Sequence, residues 1–438
     1  MTVAAETITH DGAQREADPN LQNPEMILTC DGKPAWAVGQ VFCPYRVCPL
    51  GAHCDHQHGC VTGMALDKGV YLWYAPMPDG VIELTSDNFE GVASFSISHI
   101  PAKMGDWADP LRGAVSALAV AAASQEALSG SSSKPNRLRV GVRAHIMGEL
   151  PIGGLSSSAA VILALLTALC RVNEIEMDAS AMIDLVIHAE NDYIGVRIGA
   201  LDPACELLCR RGELFHLDTM TGEREWIPAS PDMPPFDIAI FFSGLQRSLA
   251  GTVYNQRVED MKAAALAMAA YRDKPTRSFA EARLRDVPLE TYELYRDRLP
   301  EPWRRRAAHF FTEQQRIREG VGAWRGGDLE RFGALIFQSG ASTIRNMETS
   351  SPYLGKIYET ILGMNGVYGG RFSGAGFKGC CMALTDPSRR DEIRERVTAG
   401  YLSAFPELEG KFAVFFCRSA DGMAFSHADE DAPHALKL

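Results

Sequence analysis

The segment at residues 151–160, PIGGLSSSAA, contains the residue types that bind a phosphate group. Gly153 and Gly154 let the backbone approach an anion closely, and the hydroxyls of residues 156–158 add hydrogen-bond donors. The apolar run that follows predicts a helix, whose N-terminus offers unpaired N–H groups and the positive end of the helix dipole. Serines that only cap this helix are the structural alternative. We predict that the segment holds a triphosphate.

Four charged residues elsewhere have a chemical and a structural interpretation. Glu190 falls on the apolar stripe of a predicted helix, where a carboxylate needs either a salt bridge or a metal ion such as phosphate-bound Mg²⁺. Asp202 precedes Pro203, a pair typical of a turn, so its local pattern alone indicates a structural role. Arg46 and Asp55 lie in the segment PYRVCPLGAHCDHQHG. Its composition predicts a shaped loop, which is either a ligand site or a surface turn.

Cysteine is abundant, but its spacing indicates neither disulfides nor zinc. The chain has 11 cysteines, an odd number at irregular spacing, which favours reduced thiols. The cysteines nearest to a cluster of histidines are Cys43, Cys48, Cys54 and Cys60. They include no C-x2-C pair, so a zinc site does not fit.

Two common nucleotide-binding motifs are excluded. No G-x-x-x-x-G-K-[ST] sequence occurs, so the chain is not a Walker-type NTPase. Gly374, Gly376 and Gly379 satisfy G-x-G-x-x-G. A dinucleotide fold requires a helix to begin there, whereas residues 377–385 have the pattern of a strand.

Strands and helices are predicted to alternate around the phosphate segment. Apolar residues at every second position from 138 to 146 predict a half-buried strand. Residues 160–170 predict a buried helix, and residues 179–194 a second helix that carries Glu190. The proline-rich residues 228–235 predict a connection between domains. We expect a mobile extension at 1–22, an N-terminal domain at 23–228, a C-terminal domain at 229–426 and a loose tail at 427–438.

Composition and charge narrow the class of protein. The chain has 438 residues, 46% hydrophobic and 22% charged, which is typical of a soluble protein with two or three domains. A formal net charge of −12 argues against a nucleic-acid or anionic-membrane surface. The polar start shows no secretory signal, and the apolar run near residues 159–170 is shorter than the roughly 20 residues of a membrane span. We expect a cytoplasmic protein with no nucleic-acid or membrane partner, and the sequence indicates no oligomeric state.

Three segments resemble the signature motifs of the GHMP kinase family. PYRVCPLGAHCDHQHGC resembles the N-terminal motif of its galactokinase-like members, PIGGLSSSAA the phosphate-binding motif, and GGRFSGAGFKGCC the third motif. They occur in the family's order, and similarity extends over about residues 38–420. The first and third look specifically like galacturonokinases. The resemblance implies a two-domain α+β fold, with an N-terminal α/β domain like that of a ribosomal protein and a C-terminal ferredoxin-like domain.

The resemblance also implies a reaction and a set of site residues. Such enzymes transfer the γ-phosphoryl group of ATP to the anomeric hydroxyl of a sugar, with Mg²⁺. Arg46 and Asp202 align with the catalytic pair, and Ser158 and Glu190 with the Mg²⁺ ligands. The residues aligned with the nucleotide site are Gly153, Gly154, Leu155, Ser156, Ser157, Ser158 and Ala159. The residues aligned with the sugar site are Ala52, His53, Asp55, Tyr254, Gly374 and Gly376.

One departure from the galactokinase pattern bears on the substrate. Galactokinases have a glutamate that contacts the 6-hydroxyl of the sugar, and here that position is Ala52. A carboxylate there would repel a uronate, so alanine favours galacturonic acid as the substrate and galacturonate 1-phosphate as the product. A kinase for galactose or arabinose is the first alternative. A non-catalytic sugar sensor is the second, although known sensors have a shortened serine loop. No residue of the sequence is identified as the cation that pairs with the uronate carboxylate.

Overall fold

The computed structural model describes residues 33–129, 138–245, 251–272, 278–427 and 434–435. The predicted extension at 1–22 and most of the predicted tail at 427–438 lie outside the described residues. Within them, no helix combines the length and the apolar composition needed to cross a bilayer.

Strands and helices follow one another in runs along the described residues, rather than in strict alternation. The strands are β1 (Gly39–Val47), β2 (Cys60–Met77), β3 (Val81–Ser86), β4 (Phe89–Ser96), β5 (Gly141–Gly148), β6 (Glu213–Asp218), β7 (Arg224–Pro228), β8 (Asp237–Phe242), β9 (Val367–Phe372), β10 (Cys380–Thr385), β11 (Ala413–Cys417), β12 (Ser419–Ala420), β13 (Ala424–His427) and β14 (His434–Ala435). The α-helices are α1 (Asp109–Ser129), α2 (Ser157–Val172), α3 (Ala179–His188), α4 (Leu201–Leu208), α5 (Gly251–Tyr271), α6 (Leu289–Tyr295), α7 (Glu301–Arg325), α8 (Leu329–Ser342), α9 (Pro352–Ile361) and α10 (Arg390–Leu402).

The N-terminal half forms a large mixed sheet around the buried helix α2. The strand order is β14-β13-β1-β2-β5-β3-β4, with β6 and β12 also paired to β2. β1, β2 and β5 are antiparallel neighbours, whereas β3 runs parallel to β5. Helix α2 packs on β1, β2 and β5, and its residues from 162 to 169 are all buried. A helix that is apolar on all sides is stable only in such an interior position, as its sequence predicts.

The C-terminal half contains a four-stranded antiparallel sheet. Its order is β11-β8-β10-β9. When the four strands of this sheet are numbered 1 to 4 along the chain, their order across the sheet is 4-1-3-2. This is the ferredoxin-like arrangement, and the predicted α+β fold class is confirmed. Helices α9 and α10 pack on each other and on this sheet.

The last strands return to the N-terminal half. Ser419 pairs with Leu66 of β2, and β13 pairs with β1. The large sheet therefore contains strands from both ends of the described chain. The domain boundary at residue 228 remains a prediction.

Two local predictions around the site need correction. Arg46 does not lie in an irregular loop, because β1 continues to Val47 and pairs with β2 through a register shift between Pro44 and Arg46. The proline and glycine content of the segment concealed this strand. Residues 179–194 do not form one regular helix, because α3 ends at His188 and a π-helical turn follows from Ala189 to Ile194. Glu190 belongs to that turn.

Candidate active site

An ion pair between Arg46 and Asp202 lies in the wall of a cavity. Arg46 Nε donates to Asp202 Oδ1 at 2.7 Å, and Arg46 Nη2 donates to Asp202 Oδ2 at 2.7 Å. A third donor, Arg46 Nη1, bonds the carbonyl of Gly154 at 3.1 Å. Burial alone would lower the pKa of Arg46, but the Asp202 carboxylate raises it above its usual value. The bidentate geometry fixes the orientation of both side chains.

Asp202 lies at the start of a helix rather than in a turn. It lies in the first turn of α4, directly before Pro203. Proline is tolerated there because the first N–H groups of a helix have no partner within the helix. The Asp-Pro pattern thus places the carboxylate at a helix start, beside strand β1, across 156 residues of sequence.

Ser156 connects the predicted phosphate segment to this pair. It occupies the position before α2 with φ 64°, a left-handed conformation that is uncommon for serine, and its hydroxyl does not cap the helix. The hydroxyl donates instead to Asp202 Oδ2 at 2.8 Å. The structural alternative, in which the serines only cap α2, is therefore wrong for Ser156.

The phosphate segment and the third glycine-rich segment lie against each other. A Cβ atom at Gly154 would lie 2.9 Å from the carbonyl oxygen of Ser373, and one at Gly374 would lie 2.9 Å from Gly154 Cα. Both glycines have positive φ, so larger residues are excluded by strain as well as by space. This contact brings residues separated by more than 200 positions to one cavity.

The cavity collects most of the predicted site residues. The predicted residues that line it are Arg46, Ala52, His53, Asp55, Gly154, Ser156, Ser158, Glu190, Asp202, Tyr254, Gly374 and Gly376. Four others do not line it. Leu155 and Ala159 are buried in the core, Gly153 packs against Gly379, and Ser157 lines a neighbouring pocket.

Ser158 and Glu190 have donor oxygens suited to Mg²⁺. Both line the cavity, and Glu190 is buried. Mg²⁺ commonly takes one or two protein oxygens and completes its shell with phosphate oxygens and water. Among the described residues, no cluster of three or more His, Cys, Asp or Glu residues is suited to a metal. The two oxygens fit an ion held jointly with a nucleotide.

Asp55 lies in the same cavity and its carboxyl group is electrostatically perturbed. Its Oδ1 accepts from the N–H of His56 at 2.9 Å, and its Oδ2 accepts from the N–H of Leu201 at 3.4 Å. Burial and then the neighbouring Asp202 carboxylate raise the pKa of Asp55 to about 6. A Cβ atom at Gly199 would lie 2.5 Å from Asp55 Oδ2, so the absence of a side chain there makes room for the carboxylate.

The loop that carries Ala52 and His53 is held by α7. Glu313 Oε1 accepts from the N–H of Gly51 at 2.8 Å, and His309 Nε2 bonds the carbonyl of Ala52 at 2.9 Å. Because a carbonyl oxygen only accepts, Nε2 carries the proton. Sequence reasoning missed Glu313 and His309. A glutamate on the buried stripe of a helix was the available signal, the same one that marks Glu190.

A second pocket adjoins the phosphate segment and was also missed. The rings of Phe89 and Trp107 stack with centroids 5.6 Å apart and an interplanar angle of 4°. They line this pocket with Asn88 and Asp106, and Ser158 lines both pockets. The aromatic pair joins β4 to the segment before α1, so no local pattern indicated it.

Comparison with known proteins identifies the family. Residues 113–210 match the family described as GHMP kinases N terminal domain, and residues 317–402 match GHMP kinases C terminal. A galacturonokinase from Arabidopsis thaliana is 36% identical, over 91% of this chain and 96% of its own. The chain belongs to the GHMP kinase family.

Other members of the GHMP family agree with this. A galactokinase from Roseiflexus sp. (strain RS-1) is 29% identical over 87% of this chain and 92% of its own. The solved structure of Lactococcus lactis galactokinase complexed with galactose superimposes with a TM-score of 0.77 at 26% identity, covering 90% of this chain and 96% of that one. A mevalonate kinase structure, at 15% identity and a TM-score of 0.56, shares the fold. GHMP kinases use ATP, which agrees with the predicted triphosphate segment.

Proposed function

We propose that this GHMP kinase is an ATP-dependent sugar 1-kinase that converts galacturonic acid into galacturonate 1-phosphate. The observation that carries the proposal is a single cavity lined by the Arg46–Asp202 pair, the serine loop and Ala52. The identity to the galacturonokinase from Arabidopsis thaliana supports the choice of acid. The alanine supports it independently, because the cavity wall there has no carboxylate to repel a uronate.

The two pockets suggest how ATP lies on the protein. The stacked rings of Phe89 and Trp107 offer an apolar surface for the adenine base. Residues 153–158 and the start of α2 offer backbone N–H groups and hydroxyls to the phosphates. Because Ser158 lines both pockets, we place the β- and γ-phosphates near it, where Glu190 and Ser158 would hold Mg²⁺. That ion would neutralise phosphate charge during transfer.

The Arg46–Asp202 pair would act on the attacking hydroxyl and the transferred group. In the reaction, the anomeric oxygen forms a bond to the γ-phosphorus, the bond to the bridging β–γ oxygen breaks, and the hydroxyl loses its proton. Asp202 would orient this hydroxyl and accept the proton. Arg46 keeps Asp202 ionised through two hydrogen bonds and supplies positive charge beside the transferred group. Asp55, His53 and Tyr254 would contact the sugar hydroxyls.

A neutral-sugar kinase is the second candidate. The TM-score of 0.77 to a galactokinase complexed with galactose favours it, whereas Ala52 weighs against it. A non-catalytic sensor is disfavoured, because the serine loop is intact and Ser156 bonds Asp202.

The product of the reaction tests the proposal. Purified protein is incubated with galacturonate, ATP and Mg²⁺, and the product is examined by phosphorus NMR with proton coupling. We expect ADP release and a phosphate coupled to the anomeric proton, with turnover abolished when Mg²⁺ is chelated. A phosphate on any other oxygen, or no turnover with galacturonate while galactose or arabinose reacts, would contradict the proposal.

A further inference from the structure

The third glycine-rich segment places a cation on the cavity wall that sequence reasoning did not assign. Lys378 lines the same cavity as Ala52, His53 and Asp55. Its backbone position is fixed on the N-terminal side. The N–H of Phe377 donates to the carbonyl of Thr349 at 2.7 Å, and the N–H of Lys378 donates to that of Gly376 at 2.8 Å. The side chain therefore extends from an anchored loop.

The charges on the cavity wall leave a specific place for an anionic substituent. The acidic residues that line the cavity are Asp55, Glu190 and Asp202, and its lining cations among the described residues are Arg46 and Lys378. Arg46 already donates three hydrogen bonds, to Asp202 and to the Gly154 carbonyl. Lys378 is therefore the second positive charge that the described part of the wall presents to an acidic sugar.

Neighbouring basic groups do not replace Lys378. Burial, followed by the charges of His309 and Arg371, lowers the pKa of His53 well below its usual range, so its imidazole is neutral. Arg371 is fully buried and donates to Ser339, Thr343 and the Phe372 carbonyl. Neither group offers a positive charge to a ligand in the cavity.

We propose that Lys378 is the specificity-determining residue that pairs with the carboxylate of the acidic sugar. This inference rests on the proposed function. Ala52 removes a repulsive carboxylate from the wall, and Lys378 adds an attractive ammonium to it. The phosphates are the competing anions, because the same loop contacts Gly153 and Gly154. They already have the start of α2, the serine hydroxyls and Arg46, whereas Lys378 is the further cation that the described residues place on the cavity wall for the sugar carboxylate.

Two variants distinguish whether Lys378 pairs with the sugar carboxylate or with the phosphates of ATP. Lys378→Met keeps the length of the side chain and removes its charge, and Lys378→Arg keeps the charge. We expect Lys378→Met to lower kcat/KM for galacturonate at least about tenfold, mainly through KM, which is the effect of losing a hydrogen bond between charged groups. We expect kcat/KM for galactose and KM for ATP to change less than about threefold, and Lys378→Arg to retain most of the galacturonate activity.

Each result has one interpretation, provided that both variants melt at the wild-type temperature. A selective loss on galacturonate that Lys378→Arg largely restores supports the proposal. An equal loss on both sugars with a higher KM for ATP assigns Lys378 to the phosphates and overturns it, as does an unchanged Lys378→Met. If the wild-type protein phosphorylates galactose but not galacturonate, the proposed function itself is wrong. If the wild-type protein phosphorylates galacturonate and Lys378→Met does so equally well, only the role of Lys378 is wrong.

Discussion

Glu313 and Glu206 are both fully buried, but their surroundings differ. Glu313 accepts hydrogen bonds from the Gly51 N–H at 2.8 Å, from the Ser339 hydroxyl at 2.6 Å and from Arg316 Nε at 2.7 Å. Glu206 lies four residues after Asp202 in α4. Neither of its carboxyl oxygens meets the geometry of a hydrogen bond among the described residues, although the Ser156 hydroxyl, which bonds Asp202, lies beside it. A buried glutamate thus has three hydrogen-bond donors beside the loop that carries Ala52 and His53, and has no comparable set of donors beside the Arg46–Asp202 pair.

The donors decide the protonation state of each glutamate. For Glu313, burial would raise the pKa, but Arg316, His309 and Arg371 together with the Ser339 hydroxyl lower it to about 2. For Glu206, burial and then the Asp202 carboxylate raise the pKa well above its usual value. Glu313 is therefore ionised, and its carboxylate holds the loop that carries Ala52 and His53.

Burial beside the Asp202 carboxylate favours the protonated, neutral form of Glu206 next to the catalytic pair. Its neutrality has a consequence for the chemistry, because a second ionised carboxylate would compete with Asp202 for Arg46. Beside the loop that carries Ala52 and His53, the ionised Glu313 is paired with Arg316 and Arg371. The reaction side keeps one acid protonated so that Asp202 alone accepts the two hydrogen bonds from Arg46.

Matched Glu→Gln substitutions test this comparison and have the largest expected effect. Glu313→Gln leaves Arg316 and Arg371 without a buried counter-ion, so we expect the free energy of unfolding at pH 7 to fall by about 3–5 kcal/mol. Glu206→Gln replaces a buried carboxyl group whose raised pKa costs stability at neutral pH by an amide of the same size that does not titrate, so we expect no comparable loss and, if anything, a gain in stability. Denaturant unfolding of both variants, without ligands, measures the two values.

The pH dependence of stability should differ in sign between the two glutamates. The lowered pKa of Glu313 gives a contribution that is full above about pH 4.5 and is lost as the pH falls towards 2. The raised pKa of Glu206 gives a contribution that is full below about pH 4.5 and is lost as the pH rises, because the unfolded chain releases its proton first. If Glu206→Gln destabilises the protein at pH 7 as much as Glu313→Gln does, the comparison is wrong.

Removing charge from the Arg46–Asp202 pair should lower turnover in protein that still folds. We expect Asp202→Asn and Arg46→Ala each to lower kcat at least about 10²-fold, because both groups act on charge in the transition state. Steady-state kinetics with circular dichroism as the folding control measures the effect. Folded Asp202→Asn protein with near-normal kcat would remove Asp202 from the proposed mechanism.

The regular parts of the fold could be predicted from the sequence, because their apolar spacing is local. The strand β5, the buried helix α2 and the strand β10 follow directly from their patterns. The end of β1 could not be predicted, because Pro44 and the following glycine and histidines hide a strand that is defined by its pairing with β2. The π-helical turn at Glu190 has no local signal either.

The site was predicted where motifs carry it and missed where only the fold creates it. Asp202 has the local pattern of a turn, and it entered the predicted site only through the family resemblance. The stacked Phe89–Trp107 pair and the hydrogen bond from the Gly51 N–H to Glu313 each join segments that are distant in the sequence. Lys378 lies in the third motif at a position to which the sequence analysis gave no role, so only the cavity indicates it. Glu206 lies in an apolar helix, where a neutral acid is indistinguishable by sequence from an ion-paired one.

A carboxylate introduced at position 52 should have a smaller effect on the reaction than removal of Arg46 or Asp202. Two carboxylates about 4 Å apart at an effective dielectric near 20 repel by about 4 kcal/mol, and water and side-chain movement relieve part of that repulsion. We therefore expect Ala52→Glu to lower kcat/KM for galacturonate at least about tenfold, since each 1.4 kcal/mol is a factor of ten. We expect galactose to be affected less, or to become a better substrate.

The most direct test of the account is the ratio of kcat/KM for galacturonate to kcat/KM for galactose, measured at neutral pH, where the uronate is ionised. The account predicts that this ratio is well above one for the wild-type protein and falls at least about tenfold in Ala52→Glu, because that variant places a carboxylate beside the substrate's own. A wild-type protein that prefers galactose, or an Ala52→Glu variant that loses both substrates equally, would contradict electrostatic selection of an acidic sugar in this cavity.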